Sequence, residues 1–130
     1  MIARFTFVTA FALSAGVAMA QEAATPPAMP DMGAAYESAR NQLGVLTYCQ
    51  EQGHIDGKAV ETQTKLLTMI PAGDTAKGDA AEELGKKGTV SAMGVERSLD
   101  DAAKEQNTDV AALCKQMDAL LAQMAAQLPG

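Results

Sequence analysis

Aromatic side chains are scarce in this chain. It has no tryptophan and two tyrosines, and its three phenylalanines, Phe5, Phe7 and Phe11, all fall within the first twenty positions. Large aromatics bring the most burial per residue, so beyond that segment leucine, valine, methionine and alanine have to fill any core. Cationic excess is missing as well: ten Lys/Arg stand against sixteen Asp/Glu, a formal net charge of −6. Nucleic acid is bound through cationic contacts to phosphate, so this balance argues against that class of partner. Histidine occurs once, as His54, and cysteine twice, as Cys49 and Cys114. No apolar run after position 20 approaches the roughly 20 residues of a membrane span. A length of 130 residues leaves room for one small domain.

What is present begins with an export pattern. Met1-Ile2-Ala3-Arg4 is a short positive start, Phe5 to Val17 is an apolar stretch, and Ala18-Met19-Ala20 places small residues before Gln21. This is the three-part build of a secretory signal peptide, residues 1–20, with cleavage after Ala20. Losing twenty residues and their one basic side chain leaves nine Lys/Arg against sixteen Asp/Glu, a mature net charge of −7. The expected localisation is periplasmic or secreted. Residues 21–30 hold three prolines, which lack amide donors and disfavour helix before them, so they read as a disordered leader. Residues 31–130 form the domain.

From Asp31 onward the aliphatics recur at steps of three and four. Asp31 is a candidate N-cap, followed by a stripe of Met32, Ala35, Tyr36, Ala39, Leu43, Leu46 and Cys49 that Gly53 ends. A second helix is expected after Asp56, with Ile55 and Val60 at the spacing of a hydrophobic staple. Its face is Val60, Leu66, Leu67 and Ile70, and Pro71-Ala72-Gly73 breaks it. Between Asp74 and Gly94 four glycines weaken helix by up to about 1 kcal/mol each. A thin face of Ala76, Ala80, Ala81 and Leu84 predicts a short helix near 76–87 and another from about 89. Ser98 and Asp101 resemble a capping box, Asn107 is a stop, and Thr108 is the candidate cap of the last helix. That helix has the cleanest stripe: Val110, Leu113, Cys114, Met117, Leu120, Leu121, Met124 and Leu128. No convincing strand pattern is found. The expected class is all-α, four to five short helices in a small bundle.

Cys49 and Cys114 lie on the stripes of the first and last helices. In an oxidising compartment two such cysteines pair. Closing a loop of 65 residues restricts the unfolded chain by roughly 4 kcal/mol in the entropy model, a large share of a small domain's stability. Chemistry of other kinds finds no footing. His54 lies in a turn without a second histidine, so it reads as a surface or capping residue rather than a base or ligand. Met29-x-x-Met32 is a loose Cu(I) pattern, but the methionines read better as core filler. Gly85-Lys86-Lys87-Gly88-Thr89 has the wrong order for a phosphate loop and reads as a solvated turn. Glu82-Glu83 and Asp100-Asp101 read as solvated surface. No catalytic set, cofactor site or metal site is assigned.

The runs Tyr48-Cys49-Gln50, Gly53-His54-Ile55-Asp56-Gly57, Gly88-Thr89-Val90-Ser91-Ala92-Met93-Gly94-Val95-Glu96 and Ala112-Leu113-Cys114 resemble a family of short, exported, two-cysteine helical proteins described as pore-forming ESAT-6 family proteins. The resemblance implies a small helical protein acting outside the cytoplasm, on membranes in that reading, and carries no functional residue onto this chain. The residues themselves point first to a non-enzymatic exported protein with a binding or structural role in the cell envelope. Its partner would be an unidentified protein or a second copy, with membrane contact only if it forms pores. A periplasmic chaperone active under acid stress is a further alternative, since protonating sixteen carboxylates would turn the mature chain cationic. The crosslink is the most exposed of these expectations. Cys114→Ser should lower the melting temperature by about ten degrees, corresponding to a loss of about 2–4 kcal/mol; an unchanged melting curve would show the bond absent or idle.

Overall fold

A computed structural model of the protein describes residues 31–129, so the segments expected to be a signal peptide (1–20) and a leader (21–30) lie outside the described residues. The first helix, α1 (Met32–Glu51), starts where the sequence places it: the Asp31 side chain accepts a hydrogen bond of 3.0 Å from the Gly33 amide. It stops at Gly53, which takes the left-handed conformation. The Gly53 amide then reaches Gln50 O and the His54 amide reaches Cys49 O, each at 2.9 Å. That pair of bonds closes the last carbonyls in a Schellman motif, so the backbone of His54 finishes a helix end.

Four more helices and one hairpin follow: α2 (Lys58–Met69), α3 (Thr75–Lys86), β1 (Thr89–Ala92), β2 (Val95–Ser98), α4 (Leu99–Glu105) and α5 (Val110–Ala125). The helical class is therefore as expected, and a buried bond joins the first and last helices through Cys49 and Cys114, whose Cα atoms are 5.6 Å apart. Capping was partly legible. Ser98 accepts from the Asp101 amide at 3.1 Å, and Asn107 stops α4 with positive φ. Two caps fall one residue later than expected. Gly57, not Asp56, precedes α2, although the Asp56 carboxylate still accepts from the Lys58 amide. Asp109, not Thr108, caps α5, because its carboxylate reaches the Ala112 amide at 2.7 Å.

The expected helix from about 89 is a β-hairpin instead. Thr89↔Ser98, Val90↔Arg97, Ser91↔Glu96 and Ala92↔Val95 pair in antiparallel register. Met93 and Gly94 both have positive φ, +53° and +77°, which makes the two-residue connection a type I′ turn. Its twist matches that of the strands it joins. Helical reading failed here because each strand is only four residues long, and because methionine occupies the turn position where asparagine usually announces such a hairpin.

α1 is the central helix, with neighbours on opposite sides. One side contributes Leu46 to a cluster with Ala59 of α2 and Leu121 of α5. Val45 and Cys49 join Leu99, Ala103, Leu113 and Cys114 in a second cluster. The side carrying Asn41 and Gly44, which the stripe did not include, packs against α3. Backbone meets backbone at that crossing: a Cβ on Gly44 would overlap the Glu82 carbonyl, and one on Gly85 would overlap the Asn41 carbonyl and lie 2.6 Å from the Val45 nitrogen. The glycines that weaken α3 as an isolated helix are thus what let it approach α1. Its alanine face is the lesser one, since Gly78 and Gly85 are buried while Ala76 and Ala80 are exposed. In α2 the buried residues are Ala59 and Gln63, with the expected Val60, Leu66 and Leu67 only half-buried. Gly85→Ala should therefore destabilise the fold by about 2–3 kcal/mol and lower the melting temperature by ten degrees or more, about the cost of overpacking. A thermal melt matching the wild type would contradict the close crossing.

Candidate functional site

The two cysteines come together as predicted, and both are 0% exposed. They sit among Val45, Leu99, Ala103 and Leu113, where no thiolate can reach a sulfur from solvent. Exchange requires such an in-line attack, so the bond is structural in placement, and it is compatible with an oxidising extracellular or periplasmic compartment.

A second set of functional-looking residues was missed by sequence reasoning. Arg40 on α1 donates through Nε to Glu82 Oε2 at 2.7 Å, through one terminal nitrogen to the Tyr36 hydroxyl at 3.0 Å, and through the other to Asp79 at 2.6 Å. Burial disfavours the guanidinium charge, but the hydrogen bonds to Tyr36 and Glu82 outweigh it and raise the pKa above its ordinary value. Glu82, expected to be solvated, has a side chain only 16% exposed and also meets Lys86. Lys86 in turn has its pKa raised by hydrogen bonds to Glu83 and Glu82. Expected solvation is met at Glu83, Asp100 and Asp101, all exposed.

Asn41, 2% exposed, makes three bonds. Its amide donates to the Ala81 carbonyl at 2.9 Å and the Thr89 carbonyl at 3.0 Å, and its oxygen accepts from the Ser91 amide at 2.8 Å. One side chain therefore holds α1, α3 and the outer edge of β1. Gln63 repeats the device, donating to the Ala39 carbonyl at 3.0 Å. These contacts cross between elements and fix geometry. A polar residue off the apolar stripe of a helix, as Asn41 is, was the one signal available.

The surface offers two kinds of concavity. One, about 460 Å³, runs between α2 and α5 and mixes three acidic side chains, Asp56, Glu61 and Asp118, with two basic ones, Lys58 and Lys65. On the far side of α5 a cavity of about 320 Å³ is formed by Val90, Leu99, Ala102, Leu113, Met117 and Leu120, with Gln106 and Gln116 beside them. It shares Val90 and Met117 with a second cavity of about 220 Å³, lined also by Ser38, Gln42, Val45 and Ala92. The two adjoin at Val90 and Met117, and neither is lined by an ionisable side chain. The hairpin forms one wall and its tip, Met93 and Val95, stands exposed beyond it. The α5 stripe is consequently wider than the core: Leu113, Cys114 and Leu121 are buried, whereas Leu120 and Met124 are exposed. Met69 is exposed as well, so of the methionines expected to fill the core only Met117 packs against it.

Among the described residues no group of three or more His, Cys, Asp or Glu is placed to hold a metal ion. Met29 of the loose copper pattern lies outside the described residues. His54 stands in the turn after α1. Asn41→Ala should cost about 2–3 kcal/mol, because the part-buried Ser91 amide and two carbonyls lose their partner. Hydrogen exchange at Ser91 should quicken more than at the α5 amides; equal protection in the variant would contradict the role given to Asn41. Compared with protein-family models, curated proteins and solved structures, the chain has no match.

Proposed function

We propose that the chain is a non-enzymatic exported protein, periplasmic or secreted after cleavage behind Ala20, that works by binding a protein partner in the cell envelope. The observation that carries this reading is the uncharged groove along α5 and the hairpin. One residue in five of the chain is charged, yet none lines this strip. Its floor is apolar, and the amide and hydroxyl side chains of Ser38, Gln42, Gln106 and Gln116 line it too. Neutral donors and acceptors suit a peptide backbone, whereas a phosphate or carboxylate headgroup would call for cations. Export is supported by the signal-like first twenty residues together with the buried disulfide.

The family resemblance supplies a second reading, pore formation, and what favours it is the exposure of Leu120 and Met124 on α5. No helix among the described residues is long and apolar enough to cross a membrane, so this activity would require several copies of α5 to assemble.

The test uses a photocrosslinker at Gln116 in the full-length protein expressed with residues 1–20 in place. The expected result is a mature N-terminus at Gln21 and a discrete protein adduct that Leu120→Glu reduces at least about tenfold, the effect of placing a desolvated charge in an apolar contact. An intact N-terminus would refute export, and an adduct indifferent to Leu120→Glu would refute the groove. Dye release from vesicles between pH 4 and 7 would replace the reading with pore formation, and suppression of client aggregation at pH 2–3 would replace it with acid chaperoning.

A further inference from the structure

Met93 occupies an unusual place. It is the first residue of the two-residue hairpin turn, with φ +53°, where asparagine or glycine would be easier to accommodate. A non-glycine residue in this region costs about 1 kcal/mol. Nothing in the packing offsets that cost, because the side chain is 98% exposed. The turn is nevertheless firmly held: Asn41 bonds Ser91 and Thr89 in β1, and the Leu99 amide bonds the Gly88 carbonyl at 2.9 Å at the hairpin's base. Local stability therefore does not account for a thioether at this tip.

We propose that Met93 is a surface oxidation site, converted to the sulfoxide by hydroperoxides in the folded protein ahead of the other described methionines and without disturbing the fold. In the step, a sulfur lone pair attacks the terminal peroxide oxygen, the O–O bond breaks, the S–O bond forms, and the proton of the transferred oxygen passes to the departing one. Sulfur loses two electrons, and the peroxide is reduced to water or an alcohol. With both cysteines locked in a buried disulfide, the thioethers are the surface groups left to react in this way. Their exposure ranks them: Met93 at 98%, then Met69 at 60%, Met32 at 50% and Met124 at 40%. Met117 is packed against both core clusters, so a sulfoxide there would put a strong dipole among apolar side chains. At Met93 the new oxygen is hydrated at once, and the tip changes from apolar to polar beside exposed Val95. This needs no partner in the groove and stands apart from the binding role.

The test is a titration of the folded protein with hydrogen peroxide, quenched at intervals, with peptide mass spectrometry following these five methionines. Met93 should show the highest rate and Met117 a rate at least about tenfold lower, with the differences collapsing in denaturant, since access sets susceptibility. Met93→Gln, a polar stand-in for the sulfoxide, should melt within about one degree of the wild type, the effect expected at a solvated surface position. A faster reaction at Met32, Met69 or Met124, an order unchanged in denaturant, or a clear fall in the melting temperature of Met93→Gln would each overturn the proposal.

Discussion

The bond between Cys49 and Cys114 is the constraint on which the rest of the fold leans. It ties the C-terminal part of α1 to the start of α5 across 65 residues of chain, and everything between those residues is laid around it. The need follows from composition: with no Phe, Trp or Tyr other than Tyr36 and Tyr48 beyond position 20, the two clusters are built from valine, leucine and alanine, one of them around the disulfide. A small core of that kind has little margin over the conformational entropy it must overcome. Crosslinking the unfolded chain reduces that entropy at its source.

A second economy operates between α1 and α3, where the helices touch through glycine backbones. Contact that close leaves no room for apolar side chains, so polar groups do the fastening. Asn41 holds three elements, and Arg40 spans Tyr36, Asp79 and Glu82. Each of these polar side chains is hydrogen-bonded within the protein, and among the described residues no buried side-chain nitrogen or oxygen lacks a partner. Fully satisfied networks fix one arrangement, where half-satisfied ones would destabilise. The hairpin inherits its position from this network, and the groove inherits its wall from the hairpin.

Much of this was legible in the amino-acid order. Periodicity placed α1, α2, α3 and α5, and the cysteine spacing on two stripes located the crosslink. Asp31, Gly53, Ser98 and Asn107 marked helix ends because capping is a local matter of one side chain and a few amides. What stayed hidden was non-local. Gly78 and Gly85 read as weak points until α1 lies against them, and Glu82 reads as solvent-facing until Arg40 covers it. The strands of residues 89–98 were too short to show alternation, and a methionine masked their turn. The groove could not be read at all, since Val90, Leu99, Met117 and Leu120 become neighbours only when three elements meet. The binding role remains a proposal resting on that surface, while the helical fold and its crosslink are features of the structure.

A single measurement bears on the central constraint most directly. The native protein, purified without reductant, is treated with millimolar dithiothreitol, alkylated and weighed by mass spectrometry, once folded and once in denaturant. Burial of both sulfurs predicts no alkylation while the fold persists and two added groups after unfolding. Free thiols in the untreated native protein, or ready double alkylation under folding conditions, would contradict the account.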